Sequence, residues 1–324
     1  MKTLFRLFSP GGAHGRLSVL IFHRVLPAPD PLFPGEMDVA RFDETLGWLK
    51  GWFNVLPLDE ALQRLQNGSL PPRAAALTFD DGYADNHDEA LPLLRRHGLP
   101  CSFFIATDFL DGGRMWNDTL VEAVRRSSLL NLDLRGLRGS DGQQACELGC
   151  YPLATIDERR AALHALIPLC KYLAPQPRQT LVDAVAARAE AVLPDDLMMS
   201  SDQVRVLRGA GMQIGAHTAS HPILASLSTN QAADEMTRGK ERLEQILGET
   251  VTLFAYPNGK PGTDYLPQRD PGLARELGFE SAVSTAWGAA RSGRTDPFQI
   301  PRFTPWDQRR GRFGLRLLRN LWQH

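Results

Sequence analysis

The sequence predicts an α/β fold built on a parallel sheet, and three observations carry that expectation. Short apolar runs have the length of buried strands: Ser18 to Phe22, Ala74 to Phe79, Met212 to Ala216 and Val251 to Tyr256. Ala74 to Thr107 reads as strand, helix and strand in a compact unit, which implies parallel neighbours. Polar clusters stand directly after three of the runs, at the end where parallel α/β barrels carry their active sites.

The elements follow in order. Ser18 to Phe22 is a strand that ends at His23 and Arg24, before a proline-rich stretch from Pro27 to Pro34. Phe42, Leu46 and Leu49 share one face of a helix over Val39 to Lys50, and a second helix over Leu58 to Leu65 stops at Asn67-Gly68. After the strand Ala74 to Phe79 a helix runs up to Gly98, placed for a left-handed cap, and Cys101 to Thr107 is the next strand. From about Trp116 to Pro194 the chain is rich in Ala, Leu and Arg, with helical spacing in Ile156 to Leu169 and Thr180 to Val192. It reads as a helical insertion rather than a separate domain. Ser228 with Gln231 makes a capping box for a helix closed by Gly248. A helix over Gly272 to Leu277 and a strand over Ser281 to Thr285 complete the pattern.

Composition removes some functions. The 324 residues carry a formal net charge of −1, which argues against the basic excess of a nucleic-acid-binding domain, so no nucleic-acid partner is expected. Cys101, Cys146, Cys150 and Cys170 lack paired zinc-knuckle spacing and read as ordinary thiols of a reducing compartment. No apolar run is long enough to span a bilayer, and Met1 to Phe8 lacks a signal-peptide core. A cytoplasmic protein is expected.

Three segments carry the chemistry. In Thr78-Phe79-Asp80-Asp81-Gly82 two adjacent carboxylates follow an apolar strand, and they repel unless a cation compensates them. A metal on one would leave the other as a base, although Asp-Asp-Gly alone is equally a polar turn. In His217-Thr218-Ala219-Ser220-His221-Pro222 two imidazoles stand four apart on a loop, since the residue before proline avoids helix. Two neutral imidazoles and a carboxylate make a three-ligand set with an open position for water. Phe254-Ala255-Tyr256-Pro257-Asn258-Gly259 is a rigid turn whose backbone N–H groups can face a ligand, or an ordinary strand exit.

In this order the motifs resemble the NodB-homology polysaccharide deacetylases, carbohydrate esterase family 4. The first family motif, T-F-D-D-G, is matched at Thr78 to Gly82 and the second, H-[ST]-x-x-H, at His217 to His221. The resemblance spans roughly residues 74–303 and implies a distorted (β/α) barrel. It also implies one catalytic domain over 1–324, with the helical insertion at about 116–194 and residues 16–26 contributing a strand and His23. It implies Asp80 as catalytic base and Asp81, His217 and His221 as ligands of a divalent metal, zinc by default, with cobalt or nickel able to serve. The third motif departs from the family's R-P-P-Y-G: Ala255-Tyr256-Pro257-Asn258-Gly259 lacks the Arg, and Ala282 to Trp287 lacks its Asp partner. Phe-Ala-Tyr-Pro-x-Gly is similar to the poly-N-acetylglucosamine deacetylase branch. Tyr256, Pro257, Asn258 and Arg302 are then the candidates for oxyanion and substrate binding, and Arg302 is the candidate for the missing positive charge. The family's late Leu-x-His is absent, since His324 alone follows His221. In that branch an N-terminal His serves as acid, and Phe22-His23-Arg24 is similar to it.

The function so implied is metal-assisted removal of N-acetyl groups from a polysaccharide or amino-sugar glycan. One alternative is a deformylase or deacetylase of lipid-linked sugars on the same scaffold. Another is a non-catalytic glycan-binding module, which loss of Asp80 or of a His ligand would have favoured. The stretch Arg309 to Arg319 interleaves cations with apolar residues. It reads as a terminal helix packed on the barrel, or as an interfacial helix making peripheral contact with anionic lipid at the inner face of the membrane.

Overall fold

The computed structural model of the chain describes residues 1–140 and 145–322, so His324 lies outside the described residues. Contacts group the chain into two compact units: Met1–Ala28, Met37–Asp111 and Met199–His324 form one, Pro29–Glu36 and Gly112–Met198 the other.

The larger unit is built on nine strands: β1 (Arg16–Phe22), β2 (Asn54–Val55), β3 (Ala74–Phe79), β4 (Ser102–Ile105), β5 (Gln213–Ala216), β6 (Leu253–Ala255), β7 (Ser281–Val283), β8 (Ala290–Arg291) and β9 (Arg302–Phe303). They run β7-β6-β5-β4-β3-β1-β8, with β9 on β1 and β2 on β3. Every pairing is parallel except β1 with β8. A parallel bridge from Val283 to Ile300, just before β9, brings the two ends of the sheet together. The sheet is thus a nearly closed barrel ringed by helices.

The period of two sorts each strand between the inside of the barrel and the helices around it. Leu17, Val19, Ala74, Ala76, Phe104, Leu253, Ala255 and Val283 pack together inside. Leu20, Phe22, Leu77, Phe79, Phe103 and Ile105 pack with the helix residues Phe42, Leu46 and Leu94. Gly215 in β5 gives room to Phe104: a Cβ there would lie 2.5 Å from the ring. Above this layer the interior turns polar, at Thr78, Asp80, His217 and Arg302, all buried.

The helices begin and end as the sequence chemistry dictates. The Asp38 side chain accepts from Arg41 N and opens Val39–Trp52. The Ser228–Gln231 capping box opens Thr229–Leu247, and Gly248, at φ 71°, closes it. Gly98, at φ 63°, closes Leu91–His97. The helix expected to run unbroken to Gly98 begins instead as a π-helical turn over Asn86–Ala90.

The smaller unit differs from the expected insertion. It has helices over Trp116–Arg126, Ile156–Lys171 and Pro175–Arg188, but also two antiparallel ladders, Asn131–Asp133 with Cys150–Pro152 and Arg138–Ser140 with Ala145–Glu147. Gly136, Gly139, Gly142 and Gly149 interrupt helical propensity across that stretch. The unit also has its own core around Leu120, Val124, Leu163, Leu166, Val182 and Val185.

Gly215→Ala should overpack the barrel interior against Phe104 and cost about 1–3 kcal/mol. Urea unfolding should record this as a lower midpoint with an unchanged slope; an unchanged midpoint would mean that Phe104 has room to move.

Candidate active site

The polar cap of the barrel is assembled from strand ends. Thr78 and Asp80 share the interior face of β3 by the same alternation that buries Ala74 and Ala76. The Arg302 guanidinium meets Asp80 fork to fork: Nη1 donates to Oδ1 and Nη2 to Oδ2, both at 2.7 Å. Its Nε donates to the Ser284 carbonyl at 3.0 Å, and Nη1 also reaches Thr78 Oγ1 at 3.2 Å. Arg302 is 2% exposed and Asp80 3%. Burial pushes the Asp80 carboxyl up, but Arg302, His217 and His23 outweigh it and hold it below the usual carboxylate range.

Asp81 turns away from its neighbour. Its φ is 78° and that of Gly82 is 93°, both left-handed. A Cβ on Gly82 would lie 2.9 Å from the Ile105 side chain, so the turn demands glycine. Asp81 Oδ1 then stands 3.5 Å from His217 Nε2 and 3.4 Å from His221 Nε2. His217 Nε2 also lies 3.8 Å from Asp80 Oδ2.

Two supports hold the imidazoles. His217 Nδ1 donates to the Ala255 carbonyl at 2.7 Å, which leaves Nε2 for the site. The loop to His221 bends through left-handed Thr218 (φ 65°) and His221 (φ 53°). Thr218 Oγ1 accepts from His221 N at 3.1 Å, and Glu235 accepts from Ser220 N and Oγ, both at 2.8 Å. Gly239 lets helix Thr229–Leu247 approach this loop, because a Cβ there would lie 2.5 Å from the Thr218 carbonyl carbon.

The donor set fits a metal ion. Asp81, His217 and His221 each offer a ligand atom, all within 4.8 Å of one another. Ligands about 2.0–2.2 Å from a shared tetrahedral centre stand about 3.4 Å apart, which matches the measured 3.4 and 3.5 Å. Those separations exceed an N–H···O hydrogen bond. Burial raises the Asp81 carboxyl, but His217, His221 and His23 together hold it well below the ordinary range. Burial presses His221 down to about 4, although Asp81 opposes it. Both therefore have the protonation state that a ligand needs. Burial also lowers His217, but Asp80 and Asp81 outweigh it and raise it, so a proton competes with a metal there.

The remaining sequence candidates divide. His23 follows β1, is exposed, and adds to the electrostatic field at Asp80, Asp81 and His221. Its carbonyl accepts from Asn86 Nδ2 at 2.8 Å, and Asp85 accepts from Val25 N at 3.1 Å and from Arg24 Nε at 2.8 Å. Asn258 is exposed at φ 58°, with no acceptor for its backbone N–H among the described residues. Three further substrate-binding candidates have their side chains engaged inside the protein. Tyr256 is fully buried, stacks on Tyr265 at 4.0 Å and donates its hydroxyl to the Phe298 carbonyl. Pro257 is buried beside it. Arg302 is paired with Asp80, and its donors are taken up inside the barrel. Asp85, Asn86, Glu235 and Gly239 were not singled out from sequence. A polar Asp-Asn pair opening the first turn after Asp-Asp-Gly-Tyr was the available signal for the first two. Glu235 and Gly239 sit in an amphipathic helix with no local mark.

An imidazole–imidazole–carboxylate cluster over the carboxyl ends of parallel barrel strands, beside a separately compensated carboxylate, defines a hydrolase-like barrel with a metal-fitting centre. The model of the polysaccharide deacetylase family matches residues 67–127 and 182–280; the stretch between these two segments lies in the smaller unit. Bacillus subtilis (strain 168) YxkH, a candidate polysaccharide deacetylase, is 26% identical over 277 residues, 85% of this chain and 66% of YxkH. The chain thus matches just under two thirds of that relative's length. Among solved structures, IcaB from Ammonifex degensii superposes with a TM-score of 0.58 at 19% identity, covering 94% of this chain and 98% of IcaB. The Streptococcus pyogenes deacetylase PplD, in complex with acetate, superposes at 0.57 with 17% identity, covering 90% and 92%. These likenesses are of fold.

Arg302→Met should leave a buried carboxylate unpaired and cost about 3–5 kcal/mol, and Asp80→Asn added to it should recover much of the loss. Thermal unfolding of the two variants checks this; equal midpoints would mean that Asp80 is not what Arg302 stabilises.

Proposed function

We propose that this protein is a metal-dependent N-deacetylase acting on an N-acetylated amino-sugar glycan. The observation that carries the reading is the cluster of Asp81, His217 and His221 beside an Asp80 that has its own cationic partner. Imidazole and carboxylate donors suit zinc first, with cobalt and nickel able to occupy the same set. A divalent cation there acidifies water and polarises the acetyl carbonyl.

The chain's own groups supply the rest. Asp80, kept ionised by Arg302, accepts the proton of the attacking water. Its low proton affinity makes it a weak base, which suits an acidified water. The Asn258 backbone N–H, exposed and without a protein acceptor, donates to the developing oxyanion, a contribution of about 3 kcal/mol where measured elsewhere. His23, on the rim with these groups and held through Asn86, donates a proton to the leaving amine. Acetate and a free amino sugar result. The solved PplD structure with acetate is consistent with that product class. Acetate release from a panel of N-acetylated glycans and lipid-linked sugars, with and without chelator, tests the reading and separates the substrates. No release from any member would overturn it.

The ligand and base roles predict different losses. His221→Ala should lose bound metal by elemental analysis, whereas Asp80→Asn should keep it and lose activity about 10²–10⁴-fold. Metal retention of the unaltered protein should also weaken as pH falls, because His217, raised above its ordinary value, takes up the proton. Loss of metal from Asp80→Asn with retention in Asp81→Asn would reverse the two roles.

A further inference from the structure

The C-terminal helix Arg310–Trp322 carries two apolar stripes, and the barrel uses one of them. Phe313, Leu317 and Leu321 recur at four-residue spacing and are fully buried. Leu315, half-buried Leu318 and Trp322 form the second stripe, with Leu315 65% and Trp322 63% exposed. Beside this helix lies the N-terminal helix Lys2–Phe8. The Phe8 and Trp322 rings meet at 5.3 Å, tilted by 38°, the Met1 side chain crowds Gly314, and Arg16 donates to the Leu321 carbonyl at 2.5 Å. This helix too buries one residue, Phe5, and turns Leu4 and Leu7 outward, Leu7 at 72% exposure. Trp306, just before the C-terminal helix, is 74% exposed.

The charge around these leucines is one-sided. Residues 1–8 and 306–322 hold Lys2, Arg6 and five arginines between 309 and 319, against one carboxylate, Asp307, in a chain of formal net charge −1. Asp307 is itself covered, with Arg312 and Arg316 on its two oxygens. A soluble polyanion, glycan or nucleic acid, would account for the arginines but not for outward leucines and tryptophans. An anionic bilayer accounts for both, with apolar tips entering the acyl boundary and cations resting among the headgroups.

We propose that the paired terminal helices form a membrane-docking face that seats the protein on anionic lipid. This surface is independent of the deacetylase reading and stands or falls separately. Sedimentation of the full chain with vesicles tests it. The unaltered protein should pellet with vesicles of phosphatidylcholine and phosphatidylglycerol and stay in solution with phosphatidylcholine alone. The double variant Leu7→Gln and Leu315→Gln keeps every charge and alters exposed positions only. It should bind the anionic vesicles about tenfold less or weaker, since each leucine loses most of its apolar transfer. Arg6→Gln with Arg319→Gln should weaken binding and reduce its salt dependence. Vesicle binding unchanged in the leucine variant, equal binding to both vesicle types, or retention on heparin without any vesicle binding would each overturn the proposal. Unfolding midpoints of both variants matching the unaltered protein would keep a folding defect from mimicking the expected loss.

Discussion

Two consecutive carboxylates buried at the end of β3 impose the condition on which the rest of the site depends. Each ionised carboxylate withdrawn from water costs several kcal/mol unless it is compensated, and the two repel one another. The protein resolves this by turning them in different directions and giving each its own partner. Asp80 continues the inward alternation and meets a guanidinium with matched fork geometry. Asp81, in left-handed backbone, meets two imidazoles. The Ser284 carbonyl and the Thr78 hydroxyl then complete the seat of Arg302. The pairing of β9 with β1 is the scaffold that delivers it.

Backbone strain is concentrated around the same centre. Asp81, Thr218, His221 and Asn258 all have positive φ without being glycine. Such conformations persist only where surrounding contacts enforce them. The Glu235 carboxylate beneath Ser220 and the close approach of the helix at Gly239 are those contacts for the histidine loop. For the Asp81 turn, the left-handed Gly82 against Ile105 has the same effect. Preorganisation thus comes from helices and strands that do not themselves carry ligands.

Much of this was legible in sequence, for identifiable reasons. β3 was legible to the residue because its short apolar run and the Asp-Asp-Gly that ends it are both local signals. The capping box at Ser228 and the glycine caps at 98 and 248 are also local, and the structure has them. The insertion has its helices, and its short ladders fall where glycines interrupt helical periodicity and leave no local signal. The π-helical turn at Asn86 has no periodic signature, since it answers to the carbonyl of His23, which lies 63 residues away. In the third motif a tyrosine, a proline and an exposed asparagine look alike in one dimension. Only packing reveals that two of the three face the core.

The guanidinium that compensates Asp80 lies 222 residues further along the chain. A chain emerging from the ribosome therefore holds its aspartate pair and its histidine loop long before it holds the arginine that makes the first of those carboxylates tolerable in the interior. The last strand of the barrel and the charge of the site arrive together, in one segment that also closes the sheet. Closure of the barrel by β9 and the pairing of Asp80 are thus a single event, and a chain cut before Arg302 would lack the partner of Asp80 although Asp81, His217 and His221 had already been made.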